Sequence, residues 1–194
     1  MTPDQVAIEF QNAFQNARGW MAGHTEFKNG LHGDGWLEKG AIVRHPVRLN
    51  ALLKHQADSI HRHFGQVELI VGIPACGAVV ASFVAAHLGL PLAFSSPVHV
   101  DLEFHRMNLP KRGLKTVLVD DLIFSGTDAR AHLSFFKTYG LENLGVSAWV
   151  SRVGDELEGL PLVSLMPTPF QTFPASSCPL CAKDVALRWR GVRE

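Results

Sequence analysis

Asp120 and Asp121 end an apolar run in the stretch VLVDDLIFSGTDAR (117–130), and Ser125, Gly126, Thr127 and Asp128 follow within a few residues. A strand that passes through small, hydroxyl-bearing residues into a helix presents backbone N–H groups and the positive end of the helix dipole to an anion. Ser125 and Thr127 add hydroxyl donors, and Gly126 lets the backbone come close. That is chemistry suited to a phosphate. The paired carboxylates do the opposite. They accept hydrogen bonds from hydroxyls such as a ribose diol, or hold a metal through water. Together the two halves suit a phosphorylated sugar. The same residues also read as a capped helix start with two solvated aspartates, and the residues alone leave both readings open.

A second turn of small residues, IPACGAVVA (73–81), carries Ala75, Cys76 and Gly77 between an apolar run and a helical one. It offers N–H groups to a second anion, or it is a plain strand–helix connection.

These turns need elements to hold them. LIVGI (69–73), LAF (92–94), TVLVD (116–120), LGVSAWV (144–150) and LVSL (162–165) read as strands. Residues 3–18, Pro46 to about Phe64, 78–89 and 127–139 read as helices, and 95–113 as a loop. Strands alternating with helices predict an α/β fold with a mostly parallel sheet covered by helices. Ligands then bind at the carboxyl ends of the strands, where both turns lie.

Composition narrows the function. Eighteen Lys+Arg balance eighteen Asp+Glu, so nothing predicts a nucleic-acid partner held by bulk charge. The apolar run around Gly77–Ala86 is too short to span a bilayer, and the N-terminus lacks a signal-peptide layout, so the expected setting is soluble and cytoplasmic. Three cysteines do not make a disulfide framework.

The 117–130 stretch resembles the phosphoribosyl-pyrophosphate (PRPP) motif of the type I phosphoribosyltransferases, in which two acidic residues precede a hydroxyl-rich loop. LIVGIPACGAVVASFVAAHLGLPLAF (69–94) resembles that family's pyrophosphate loop with its helix and strand. FKNGLHGDGW (27–36), Arg152 after AWVS, and the ending PLVSLMPTPFQTFPASSCPLC resemble the orotate phosphoribosyltransferases within it.

The resemblance implies one domain over 1–194: a helix and hood segment to about residue 45, an α/β core over 46–170 with a twisted sheet, and a tail over 171–194. It implies transfer of ribose 5-phosphate from PRPP to orotate. Asp120, Asp121 and Lys28 are the implied catalytic residues. Phe124, Ser125, Gly126, Thr127, Asp128, Ala75, Cys76 and Gly77 are implied around PRPP, and Lys28, Trp36 and Arg152 around the base. Magnesium is implied on PRPP and water near Asp120 and Asp121, with no direct protein ligand. A homodimer is also implied. Alternatives are a catalytically weak PRPP or nucleotide sensor, and a transferase for another base.

Two regions depart from the family. Phe124 and Asp128 replace small or hydroxyl residues, and 95–113, where a basic lid is expected, has no lysine before Lys111. Its cationic candidates are His99, His105, Arg106, Lys111 and Arg112. Cys178 and Cys181 have metal-ligand spacing but make only half of a four-ligand site, so they read as reduced tail thiols unless Cys or His joins from elsewhere. Cys76 as a nucleophile lacks a recognisable base. The final RWRGVRE reads as a solvated tail in which Trp189 packs on a partner.

Overall fold

The computed structural model describes residues 2–98 and 101–192. In chain order the elements are α1 (Pro3–Asn16), β1 (Trp20–Phe27), β2 (Leu31–Leu37), the single turn α2 (Gly40–Val43), α3 (Pro46–Phe64), β3 (Leu69–Gly72), α4 (Cys76–Leu88), β4 (Leu92–Val98), β5 (Asp101–Phe104), β6 (Lys115–Val119), β7 (Leu122–Ile123), α5 (Thr127–Tyr139), β8 (Glu142–Ala148), β9 (Val150–Ser151), β10 (Glu156–Leu157), β11 (Leu160–Ser164), β12 (Thr172–Pro174) and β13 (Trp189–Val192). Among the described residues no helix is long and apolar enough to cross a membrane.

The main sheet has the order β10-β11-β8-β6-β3-β4-β5. Its five central strands are parallel, and β10 and β5 close the edges antiparallel. From β3 the chain crosses to β4 on one side, then returns to β6 on the other and moves on to β8. The order therefore reverses between β3 and β6, and a crevice opens beyond their carboxyl ends. Both small-residue turns leave from these two strands.

The helices follow from their sequence. Pro46 starts α3, and Leu49, Leu53, Ala57 and Ile60 bury one stripe at helical spacing. In α4, Val80, Ala81, Val84 and Ala85 bury against the sheet, and Gly89 ends the helix in the left-handed conformation. Beneath the crevice Trp149 is fully buried between the rings of Phe10 and Phe14, at 6.0 and 5.9 Å. Its indole N–H donates to Gln56 Oε1 at 3.2 Å, and Gln56 Nε2 donates to Ser147 Oγ at 3.1 Å. This buried chain satisfies each polar group and ties α3 to β8.

A second sheet of four strands, β12-β2-β1-β13, forms the hood. The segment from 95 onward is not wholly a loop: β4 continues to Val98 and turns back as β5, with Ser95 opposite Phe104. Phe104 packs into the rings of Phe135, Phe136 and Tyr139, and this burial holds the hairpin that charged Asp101 and Glu103 concealed in the sequence. His99 lies outside the described residues. The described part of the tail stays largely exposed but is paired as strands. Thr172–Pro174 pairs antiparallel with β2, and Trp189–Val192 pairs parallel with β1.

Candidate functional site

The strand β6 delivers Asp120 and Asp121 into the crevice. The Asp120 amide donates to Ser147 O at 3.0 Å, and Asp121 O accepts from the Trp149 amide at 2.9 Å. The pair is thus fixed by its backbone to β8 and to the Trp149 platform. The Asp121 amide in turn donates to Asp120 Oδ1 at 2.8 Å. Asp121 is buried, and Lys39 Nζ lies 2.7 Å from its Oδ2, with the lysine side chain about a third exposed at 35%. At that distance the ammonium and the carboxylate form an ion pair. Lys39 sits at the start of α2, so the N-terminal segment supplies the counter-charge to the core.

Asp120 is half-buried by area, but its carboxyl is closely covered. A Cβ on Gly77 would stand 2.5 Å from Asp120 Oδ1 and 3.2 Å from its Cα. Glycine is therefore required for the loop after β3 to lie against the acidic pair. Burial, with the Asp121 charge beside it, raises the Asp120 carboxyl well above the usual carboxylate value of 3.8. Burial acts to lower Lys39, but the charge and contact of Asp121 outweigh it and the ammonium is held above 10.5. Burial, then the charge of Asp121, pushes the Cys76 thiol up. A raised thiol pKa disfavours the thiolate, so Cys76 is a poor nucleophile.

The turn after β6 forms the second wall. β7 pairs with β9, and Gly126 caps α5 in the left-handed conformation, with φ +74°. The Thr127 amide donates to Ser125 Oγ at 3.3 Å, and the two hydroxyl oxygens lie 3.1 Å apart. Residues 122–129 with Asp120 line a cavity of about 100 Å³. Arg130 braces this turn: its Nη1 donates to Ser125 O at 2.8 Å and its Nε pairs with Glu158 at 3.0 Å. Asp128 is exposed in the first turn of α5, where a carboxylate complements the dipole.

Phe124 lines the same cavity, and its ring also packs on Phe170 at 5.8 Å. The Arg152 guanidinium stands over the Phe124 ring at 5.5 Å, and its Nη2 donates to Thr172 Oγ1 on β12. Phe124 thus joins the turn after β7 to the hood through an aromatic group that includes Phe170, Phe27 and Trp20. The residue that departs from the family pattern serves as packing between the two sheets.

The structure therefore gathers Asp120, Asp121, Cys76 and Gly77 at one crevice, with Phe124 to Asp128 forming its wall. Lys28 is exposed on the β1–β2 turn, its amide donating to Val192 O at 3.0 Å. Trp36 alternates with buried Gly35 and Leu37, so it stands on the other face of β2, edge-on to Trp189 at 6.0 Å. Of the cationic lid candidates, Arg112 lies over the Tyr139 ring at 5.4 Å, and His105 stacks on Phe94 at 5.5 Å. Lys39 and Arg130 were missed by the sequence reading. Arg130 is the last residue of the 117–130 stretch and so had a local signal, while Lys39 reaches Asp121 only through the fold.

Comparisons with known proteins agree on one family. The chain is 30% identical over 186 residues to the orotate phosphoribosyltransferase of Methylorubrum populi, covering 92% of this chain and 90% of that one. It is 29% identical over 181 residues to the orotate phosphoribosyltransferase of Caulobacter vibrioides, covering 92% and 91%. The crystal structure of orotate phosphoribosyltransferase from Aeropyrum pernix superposes with a TM-score of 0.71 at 16% identity, over 80% of this chain and 92% of that chain. No protein-family model matches.

Proposed function

Because the chain belongs to the type I phosphoribosyltransferases and is a PRPP-dependent glycosyltransferase, we propose that its acceptor is orotate. Ribose 5-phosphate moves from PRPP to a ring nitrogen of orotate, and pyrophosphate leaves. The covered Asp120–Asp121 pair between two anion-suited turns supports the PRPP half of this reading, and the likeness to orotate phosphoribosyltransferases supports orotate as acceptor.

The roles follow from charge and reach. The amides and hydroxyls of 125–127 bind the 5′-phosphate at the start of α5. Asp120 and Asp121 accept from the ribose hydroxyls and stabilise positive charge as the C1–O bond to pyrophosphate opens. The loop 75–77 and Lys39 face the leaving pyrophosphate, with Lys39 standing in for the sparse cations of the lid. Arg152, with Lys28 from the hood turn, meets the anionic base. The donor set is compatible with magnesium, since Asp120 and Asp121 are hard oxygen donors suited to its water shell. When bound with PRPP, magnesium supplies neutralisation of the pyrophosphate charge.

The test is pyrophosphate release from magnesium–PRPP by the purified chain, with and without orotate. Orotate-dependent release is expected. Release driven instead by another free base would replace orotate as the acceptor. The Arg152→Ala variant should raise the orotate KM by about 10- to 100-fold, the worth of a charge-assisted hydrogen bond, and shift the PRPP KM little. Equal effects on both would remove Arg152 from the base site. The Gly77→Ala variant places a methyl against Asp120. It should lower kcat/KM for PRPP by about tenfold or more, since a misplacement of about 1 Å can cost on the order of 100-fold in rate.

A further inference from the structure

His24 on β1, His32 on β2, and Cys178 and Cys181 in the tail between β12 and β13 bring four ligand atoms within 4.8 Å of one another. His24 Nε2 lies 3.0 Å from His32 Nδ1, 3.5 Å from Cys178 Sγ and 3.6 Å from Cys181 Sγ. Cys181 Sγ is 3.2 Å from His32 Nδ1. Around a tetrahedral zinc ion, ligand bonds of about 2.0–2.3 Å put N and S roughly 3.6 Å apart and two N atoms roughly 3.4 Å apart. The separations among His24, His32 and Cys181, and between His24 and Cys178, match these values or fall inside them, and all four atoms lie within 4.8 Å of one another, so they converge on one ion-sized region.

The hydrogen bonding supports a metal over a polar cluster. His24 Nδ1 lies 2.6 Å from Val185 O. A carbonyl only accepts, so Nδ1 carries the proton and a neutral His24 turns a lone pair on Nε2 to the centre. One lone pair satisfies one donor, yet an imidazole and two sulfurs converge on it. A backbone carbonyl that fixes the tautomer of a ligating histidine is the usual support of a zinc ligand. His24 and Cys178 are both buried at 3% exposure, so two of the ligands are shielded from solvent.

We propose that this chain binds one structural zinc ion through His24 Nε2, His32 Nδ1, Cys178 Sγ and Cys181 Sγ. Two sulfurs and two imidazoles in a tetrahedral set suit zinc. Four protein ligands leave no position for substrate, so the ion is structural rather than catalytic. It staples the N-terminal hairpin to the tail. His32 stands opposite Phe173 of β12, next to Thr172, which accepts from Arg152. The staple therefore steadies the strand that positions Arg152.

The experiment is metal analysis of the full chain purified under reducing conditions from zinc-supplemented cells. One zinc per chain is expected, with cobalt(II) substitution giving the intense visible bands of tetrahedral sulfur–nitrogen coordination. Cys181→Ser and His32→Ala should each lower zinc content at least tenfold. His32→Cys keeps four ligands and should retain the ion, as should Cys76→Ser. Each variant is checked for native circular dichroism, and His32→Cys keeps the test valid if a ligand deletion fails to fold. Zinc below one-tenth per chain without cobalt bands overturns the proposal. So does full zinc in folded Cys181→Ser and His32→Ala, or a Cys178–Cys181 disulfide in the chain isolated under reducing conditions.

Discussion

The Asp120→Asn variant is expected to be more stable than the parent and nearly inactive. Asp120 is held above the usual carboxylate value by burial and by Asp121. The folded state therefore binds a proton more tightly there than the unfolded chain does. Stability from this group is fully present below 3.8 and is lost as pH rises through the raised folded value. Above that raised value the ionised carboxylate is a cost that asparagine removes. On the proposed mechanism activity moves in the opposite direction, because only the ionised carboxylate stabilises positive charge at the ribose. The kcat/KM should thus rise with pH across the window in which Tm falls. In Asp120→Asn the Tm loss across that window should vanish, and kcat/KM should drop by about 10²- to 10³-fold, the scale of one lost electrostatic contact. A parent whose Tm rises with pH through this window would contradict the argument. Such opposition of stability and activity is common where a site is built from buried like charges.

Lys39→Met should have the second largest effect. It leaves Asp121, whose side chain is 3% exposed, without its counter-ion. Breaking a fully buried pair costs 3–5 kcal/mol, and the partial exposure of Lys39 reduces this to about 2 kcal/mol. For a chain of this size that is a Tm loss of roughly 4–8 °C. In an Asp121→Asn background the same substitution should cost little, because no charge remains to strand. Equal losses in both backgrounds would show that Lys39 contributes packing rather than charge. On the proposed role of Lys39 beside the leaving pyrophosphate, the single variant should also lower kcat.

Much of the core was readable along the chain. The apolar runs at 69–73 and 116–120 became β3 and β6, and α3 and α5 begin and end where Pro46, Gly126 and Gly140 place them. The acidic pair was readable because its neighbours in sequence are its neighbours in the crevice. What escaped depends on distant partners. Lys39 gains meaning only from Asp121, and Cys178 only from His24, a separation of 154 positions. The charged β5 is stabilised by Phe104 against α5, and the short strands β12 and β13 by the hairpin edges they cover. No periodicity within four residues carries such information.

The hood hairpin is bordered on one edge by β12 and on the other by β13. A two-stranded hairpin alone is marginal in water. During synthesis β1 and β2 emerge first, but their neighbours are made more than a hundred residues later. At about 5–20 residues per second that wait is on the order of ten seconds. Over this interval Trp36 and the edges of the hairpin stay uncovered and open to pairing with another nascent chain. The hood side of the crevice is accordingly finished last, so a ribosome-bound chain can hold a complete 122–129 turn before it has a finished hood.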